Sequence, residues 1–361
     1  MIPEIIFIIS SAISAFLSFI VVFTGLLWPG FMLSKNKPFS TMIFFISCCD
    51  LLGSLANCIG FPQSGSISCS VQAFFCLFFI PASWLWTTVL VYQLRNLIIF
   101  KQISLTMTQV HAICWIIPLI ISLLPLTTNP YGQDDFINGY SPCILGGNAT
   151  SKLLWISTCD SGLFLILVIL MTIWTIQISK YLFSVNATDF TGKEREKSLV
   201  ASMKLYPMAL LFTWAPRFIE GLLNLGGHVI GKSVLQIIFI PALILSTLYG
   251  AIVAIIFFSK SPAVRALWYN LFKRMAYQHC RIRDNRTSLD DSSYNFNNHY
   301  SNNNNNSSSD SSNGSRPQTT LFQDETDEVF QLKESTDVRV SIIVEMQRPS
   351  AMDGRTSHEI R

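Results

Sequence analysis

The amino-acid sequence predicts an all-α membrane protein, a seven-transmembrane helix bundle with its N-terminus outside the cell and a disordered cytoplasmic tail. Three observations predict this class. The chain is 50% hydrophobic and only 13% charged, whereas soluble domains carry about 25% charged residues. Apolar segments of about 20 residues, enough to cross a bilayer as a helix, recur up to Phe258. Lys and Arg are concentrated in every second loop.

The body and the tail of the chain differ in composition. Charges are sparse up to Phe258 and dense after Lys260, which predicts an apolar part for lipid and a polar part for water. A net charge of +3 is too small to indicate nucleic-acid binding, and none is expected. The predicted parts are a seven-transmembrane body over 1–259, a juxtamembrane amphipathic helix over 260–280 and a Ser/Asn-rich tail over 281–361.

Seven apolar segments are predicted to cross the membrane. The first is longer than the 7–15 apolar residues of a signal peptide and has only the acidic Glu4 near its start, so we expect it to remain as a helix. The segments are about Ile5–Leu33, Phe39–Phe61, Ser70–Ile99, Thr108–Leu126, Lys152–Phe183, Leu199–Leu225 and Lys232–Phe258. Prolines that should kink four of these helices are Pro81, Pro118, Pro207, Pro216 and Pro241.

Basic residues orient the bundle, because short cytoplasmic loops carry an excess of Lys and Arg. The loops after spans one, three and five and the segment after span seven are basic, whereas the alternate loops have only Lys152 and Lys232. The pattern predicts an extracellular N-terminus and a cytoplasmic C-terminus. The basic residues are Lys35, Lys37, Arg95, Lys101, Lys193, Arg195, Lys197, Lys260, Arg265, Lys273 and Arg274, with Lys180 and Lys204 flanking the third basic loop.

Two kinds of covalent modification fit this orientation. Cys69 begins span three and Cys143 lies in the long loop between spans four and five, both on the oxidising side where disulfides persist. They are either bridged, which would pin the loop over the bundle, or two free thiols. Asn148 begins an Asn-Ala-Thr glycosylation sequence in the same loop. Cysteines inside the apolar segments are interpreted as small buried hydrophobic residues.

The segment after span seven has the apolar spacing of a helix. Ser261-Pro262 has the form of an N-cap followed by proline at the first helical position. Apolar residues between Val264 and Met275 then alternate with Arg and Lys at helical spacing, which predicts a short helix on the inner membrane face. Cys280 is either palmitoylated or an unmodified thiol. The tail from Asp284 onward is expected to be disordered, and its hydroxyls are either phosphorylated or simply solvated.

Ionisable side chains inside a membrane are costly unless paired or hydrated, so each is a functional candidate. Asp50, in the middle of span two, either holds an interhelical hydrogen-bond network or has a functional role. Arg95, at the inner end of span three, either extends to the headgroups or serves in coupling. Asp160 lies in the outer third of span five. Arg217 and Glu220, three residues apart in span six, either pair with each other or face a ligand, and a guanidinium suits an anion.

Short motifs follow one another in a distinctive order through the body. They are Ser47-Cys-Cys-Asp50-Leu-Leu, Cys69-Ser-Val-Gln72, Trp84-Leu-Trp86-Thr87-Thr, Lys204-Leu-Tyr-Pro207 and Trp214-Ala-Pro216. In order and depth they resemble spans two, three and six of the cyclic-AMP receptor-like (class E) G-protein-coupled receptors. The resemblance covers about Phe39–Phe258. The chain departs from the pattern of these receptors in span seven. Ser246-Thr-Leu-Tyr249-Gly250 stands there in place of a Gly/Asn-containing turn before the Tyr.

The resemblance implies a plasma-membrane receptor that activates heterotrimeric G proteins, with a Cys69–Cys143 bridge and a phosphorylated tail. Kinases or arrestin-like proteins would then be partners of the tail. We expect a ligand cavity among spans three, five, six and seven for cyclic AMP or a related small molecule. The candidate ligand contacts are Arg217, Glu220 and Asp160, and the candidate G-protein contacts are Arg95, Lys193, Arg195 and Lys197.

Other classes of membrane protein fit the sequence less well. A transporter or channel of the plasma membrane remains the alternative, although no internal repeat typical of transporters is visible. A light sensor would need a Schiff-base lysine in the middle of span seven, which has only Lys232 at its outer start. The five histidines are dispersed without metal-ligand spacing. No enzymatic activity, metal or cofactor is therefore expected.

Overall fold

The computed structural model confirms an all-helical chain in the residues that it describes, and no strand occurs among them. At residues 2, 128, 183–184, 220–225 and 232–239 the description covers the backbone alone. The described residues are 2–34, 37–128, 131–132, 142–146, 154–155, 158, 161–184, 201–225 and 232–277.

Long helices form the body within these ranges. Five of them, α1 to α5, are long and apolar enough to cross a bilayer, and the bent pair of α7 and α8 makes a sixth if it counts as one span. The chain is therefore a multi-pass membrane protein. The helices are α1 (Ile2–Leu27), α2 (Pro38–Asn57), α3 (Ile67–Phe100), α4 (Met107–Leu123), α5 (Leu163–Ser184), α6 (Leu205–Leu225), α7 (Lys232–Thr247), α8 (Tyr249–Lys260) and α9 (262–277).

Side-chain caps determine where α3 and α4 begin. The Ser66 hydroxyl accepts a hydrogen bond from the Cys69 N–H at 3.2 Å. At α4, Thr106 and Gln109 form a capping box, in which each side chain accepts from the backbone N–H of the other. Such caps satisfy donors that have no partner inside the helix.

The third helix lies at the centre of the bundle. Every residue from Pro81 to Val91 is buried, and α3 contacts α2, α4, α5 and α6. The most apolar part of α3 is 78% buried, whereas that of α5 is only 22% buried. Apolar residues of α5 such as Ile166 and Ile173 are exposed on the bundle surface, so lipid is their natural solvent.

The first helix packs through a row of hydroxyls as well as through apolar side chains such as Phe7. Ser10, Ser14 and Ser18 recur at a spacing of four residues and are all buried. Ser10 shares a hydrogen bond of 2.8 Å with Thr247 of α7, and the Ser54 hydroxyl of α2 donates to Ser14 at 3.1 Å. Small residues and interhelical hydrogen bonds drive helix association in membranes, where apolar burial against lipid gains little.

Two predicted boundaries need correction. The first span was predicted to reach Leu33, but α1 ends at Leu27, and a separate turn of helix at Pro29–Met32 follows. Pro29 lacks the N–H that would continue α1. The second span was predicted to reach Phe61, but α2 ends at Asn57, and Gly60 adopts a φ of +81°. The predicted start of the fifth span, Lys152, lies outside the described residues, and helical turns occur before α5 at 154–155 and 161–162.

The seventh span has a break that the sequence did not predict. Pro241 lies inside α7, which continues to Thr247. The break lies at Leu248, where the axes of 240–247 and α8 differ by 41°. The Leu248 N–H contacts the carbonyls of both Ile244 and Leu245. The seventh span therefore has a bend seven residues after Pro241, next to Gly250.

The predicted juxtamembrane helix is present as α9. Val264 is fully buried, and the Trp268 indole N–H donates to the Thr24 hydroxyl of α1 at 3.0 Å. The Trp268 ring also contacts Phe23 and Trp28. The helix is thereby fastened to the end of α1 by its apolar face.

Candidate functional site

A cavity of about 60 Å³ lies inside the bundle. It extends from Pro142 and Ile144, beside Cys143, down to Asp50 and Tyr249. Its lining comes from α1, α2, α3, α6, α7 and α8, and no residue of α5 within the described ranges takes part. The sequence had predicted α5 in place of α1 and α2.

Asp50 gives this cavity an acidic side chain. Its side chain is 9% exposed, and its Oδ1 atom accepts a hydrogen bond from Ser83 of α3 at 2.7 Å. Its Oδ2 atom is buried and has no hydrogen-bond partner among the described residues. A buried carboxylate oxygen without a partner is costly, so this atom marks a place for a donor, a cation or water.

Gly250 brings α8 close to this carboxylate. A Cβ atom at this position would lie 2.6 Å from Ser18 Oγ, 2.8 Å from Asp50 Cβ and 2.8 Å from Ser14 Oγ. Only glycine fits such a contact without displacing its neighbours. Tyr249, the preceding residue, shares a hydrogen bond of 2.9 Å with Thr87 of α3. The start of α8 is therefore fixed against three helices at the level of Asp50.

Two tryptophans form another wall of the cavity. The rings of Trp84 on α3 and Trp214 on α6 are 4.8 Å apart and nearly perpendicular. Both line the cavity, and the Nε1 atoms of both are buried without a hydrogen-bond partner in the described residues. Arg217 lines the same cavity, one helical turn beyond Trp214. This wall therefore offers hydrogen-bond donors, opposite in character to Asp50.

A disulfide closes one end of the cavity. Cys69 is bonded to Cys143, and both are fully buried. Gln72, also fully buried, donates to the carbonyls of Ala56 and Gly60 and accepts from the Cys143 N–H. These contacts hold residues 142–146 over the bundle, at what we call the Cys69 end.

The opposite end of the bundle, which we call the Arg95 end, is closed by polar and apolar contacts. Arg95 donates to Gln177 of α5 and to Asn96, and its guanidinium lies 5.2 Å from the Phe100 ring centre. Lys204, just before α6, donates to Ser179 of α5 at 2.7 Å. Leu94, Ile98 and Ile178 pack together beside Met203. The ends of α3, α5 and α6 are thus held together.

The structure shows where only some of the predicted site residues lie. Arg217 lines the cavity, whereas Arg95 lies at the opposite end. Of Glu220 only the backbone position, within α6, is described. In the described part of the chain no cluster of His, Cys, Asp and Glu could hold a metal. The candidates that lie outside the described residues are Asp160, Lys193, Arg195, Lys197, Asn148 and Cys280.

Several residues that line the cavity could not be predicted from the sequence. Ser83 and Trp214 were not assigned a role, because their contacts depend on how α3 and α6 are rotated. A usable signal existed for α1, since Ser10, Ser14 and Ser18 recur every four residues within an apolar segment. That spacing indicates one polar helix face, and such a face inside a membrane must meet another helix.

Comparison with known proteins gives one partial similarity. No family model matches the chain. A segment of 106 residues is 29% identical to Cyclic AMP receptor-like protein A of Dictyostelium discoideum. The matched segment spans 28% of this chain and 28% of that protein. Because it covers so little of either chain, the similarity supports a receptor-like role without showing family membership.

Proposed function

We propose that this protein is a plasma-membrane G-protein-coupled receptor, which senses an extracellular ligand and activates heterotrimeric G proteins. One observation carries the proposal: a single bundle has a cavity beneath a pinned loop at one end and a closed contact of α3, α5 and α6 at the other. The similarity to a receptor-like protein supports the same role.

The proposed topology has seven spans. Helix α6, with 21 residues, adds one span to α1–α5 and to the pair of α7 and α8. The Cys69 end is then extracellular, which agrees with a disulfide and with Asn148 as a glycosylation site. The Arg95 end, α9 and the tail are cytoplasmic, where Cys280 would be lipidated and kinases or arrestin-like proteins would bind the tail.

The proposed mechanism is a shift between two arrangements of one bundle. A ligand that contacts Trp214 and Arg217 of α6 binds one arrangement better than the other and shifts the population toward it. In that arrangement the Lys204 end of α6 separates from α5, which opens a surface for a Gα subunit. Arg95 and the basic loop with Lys193, Arg195 and Lys197 then contact the G protein. No catalysis and no cofactor belong to this mechanism.

Nucleotide exchange on purified Gα subunits tests the proposal. The full chain is reconstituted in vesicles as wild type and as Arg95→Ala, with and without cyclic AMP. Exchange above the empty-vesicle rate that falls in Arg95→Ala would support receptor function, and a response to cyclic AMP would identify that ligand. Absence of exchange on every Gα, together with solute or ion flux through the same vesicles, would favour a transporter or channel instead.

A further inference from the structure

Helix α9 begins directly after the last apolar span. Helix α8 ends at Lys260, and α9 covers 262–277. The Arg265 guanidinium of α9 donates to two carbonyls at the end of α8. Trp268 donates to Thr24, which lies three residues before the end of α1. These contacts hold α9 at the level where two membrane-spanning helices end, and therefore at the surface of the bilayer.

The apolar face of α9 extends beyond its contact with the bundle. Val264 is fully buried, and Leu267 and Leu271 are half-buried. Met275 lies about 20° from Val264 around the helix, at 3.6 residues per turn, yet its side chain is 46% exposed. The bundle thus covers the first part of this face and leaves the later part uncovered. On an interfacial helix such a surface is buried among acyl chains.

The segment that begins at Lys260 carries positive charge without compensation. Residues 260–283 contain no Asp or Glu, and the first acidic residue after them is Asp284. The basic loop between α5 and α6 differs, because Glu194 and Glu196 alternate with its Lys and Arg residues. The six basic residues of 260–283 are Lys260, Arg265, Lys273, Arg274, Arg281 and Arg283, of which the last two lie outside the described residues.

Two of these basic side chains are presented by the later half of α9. Lys273 and Arg274 are exposed, whereas Arg265 is engaged with the end of α8. Arg274 lies about 80° from Val264 around the helix, at the edge of the apolar face. A long basic side chain at this edge can extend to the headgroups while the apolar face stays in the acyl region.

We propose that α9 is a docking surface for the anionic phospholipids of the leaflet that it contacts. Arg274 and Lys273 are attracted to the negative headgroups, while Met275 and its apolar neighbours enter the acyl region. Each basic residue near such a surface strengthens binding about fivefold, so α9 distinguishes an anionic leaflet from a neutral one. The proposal requires a bundle that spans the membrane, but it does not require the proposed receptor function.

Amide hydrogen exchange over 262–277 tests the proposal. The full chain is placed in nanodiscs of phosphatidylcholine alone, or of phosphatidylcholine mixed with phosphatidylserine. Phosphatidylserine should slow the exchange about thirtyfold, at roughly fivefold for each of Lys273 and Arg274. Sodium chloride at about 1 M should abolish the difference, because the screening length falls from about 8 Å to about 3 Å.

Substitutions assign the effect to the charges of α9. The double variant Lys273→Gln/Arg274→Gln should exchange at the same rate in both kinds of nanodisc. The charge-retaining variant Lys273→Arg/Arg274→Lys should respond to phosphatidylserine as the wild type does. Lys101→Gln/Lys180→Gln is the matched control, since it removes two exposed lysines at the Arg95 end but outside α9, and it should keep the full response. All four side chains are exposed, so these variants should fold.

Three outcomes would overturn the inference. The first is equal exchange of the wild type in neutral and anionic nanodiscs. The second is a phosphatidylserine response that persists in Lys273→Gln/Arg274→Gln, which would place the lipid contact elsewhere on the bundle. The third is a response to phosphatidylinositol bisphosphate but not to phosphatidylserine at equal surface charge, which would indicate a pocket for one headgroup. Nucleotide exchange on Gα is a separate measurement, so failure of either proposal leaves the other standing.

Discussion

At the scale of single residues, Gly250 has a steric role that no other residue could fill. The side chains of Ser14, Ser18 and Asp50 occupy the space where its Cβ would lie. Asp50 also lines the cavity, and Gly250 itself belongs to the lining. The packing of α8 and the shape of the candidate site therefore both depend on the absence of a Cβ atom at position 250.

Gly250→Ala should lower the free energy of unfolding by about 1–3 kcal/mol, because an added methyl group overpacks the contact. Thermal unfolding in nanodiscs measures the change. Gly30→Ala is the matched control, since a Cβ there has nothing within 4 Å. Adding Ser18→Ala removes the hydroxyl at 2.6 Å and should recover part of the loss. Equal Tm values for the two glycine variants would contradict this account.

Gln72→Ala should destabilise the Cys69 end of the bundle. Its amide makes three hydrogen bonds to backbone groups, at roughly 1 kcal/mol each, so we expect a total loss of about 2–4 kcal/mol. The disulfide should also be reduced faster by a membrane-impermeant thiol. Gln102→Ala, in an exposed loop, should leave both the unfolding and the reduction rate unchanged.

The sequence predicted which charged residues lie inside the bundle, but it did not predict which side chains surround them. Asp50 and Arg217 could be identified because a charge inside an apolar segment is visible in the sequence. The donors and acceptors around them, such as Ser83 and Trp84, could not, because many Ser and Trp occur in these helices. Which of them face the cavity depends on helix rotation, and packing of all the helices together determines that rotation.

At the scale of helices, α9 shows how a short amphipathic segment becomes a fixed part of the body. Its apolar spacing was enough to predict a helix and its approximate extent. The contact with α1 could not be predicted, because Thr24 and Trp268 are separated by 244 residues. The break at Leu248 was missed for a similar reason, since proline signals a local kink whereas this bend accompanies packing against other helices.

Trp268→Ala should release α9 from α1. The loss of ring contacts with Phe23 and Trp28 and of the bond to Thr24 costs roughly 2 kcal/mol. Amide hydrogen exchange over 262–277 should accelerate more than about tenfold. Trp268→Phe should have a smaller effect, because it removes the hydrogen bond but keeps an aromatic ring. Tyr269→Ala, on the same helix and with an exposed side chain, is the control. Equal exchange rates in Tyr269→Ala and Trp268→Ala would refute the role of Trp268.

At the scale of the whole molecule, the two ends of the bundle are joined by α3. The same helix carries Ser83 and Trp84 at the cavity and Arg95 at the opposite end. It is buried along most of its length, so a change at one end cannot be absorbed by free rotation of its side chains. Coupling between the ends, if the chain is a receptor, would pass through α3 and through α6, which carries Trp214.

Lys204→Ala should raise ligand-independent nucleotide exchange about fivefold, because it removes a restraint between α5 and α6 of roughly 1 kcal/mol. The measurement uses the reconstituted Gα assay without added ligand. Ser179→Ala should act in the same direction, since it removes the acceptor. Lys260→Ala, at the exposed end of α8, is the control. An unchanged basal rate in both Lys204→Ala and Ser179→Ala would show that this contact does not hold α6.

The hydroxyl row of α1 also has a consequence for biosynthesis. Ser10 and its partner Thr247 are 237 residues apart. At roughly 5–20 residues per second, a ribosome needs on the order of 12–50 s to cover that distance. During this interval the polar face of α1 is already in the bilayer, but the helix that completes its contacts has not yet been made. Hydrogen bonds from Ser10 and Ser11 to the Phe7 carbonyl would satisfy these two hydroxyls during the interval. The first helix can therefore remain in lipid until α7 has been made.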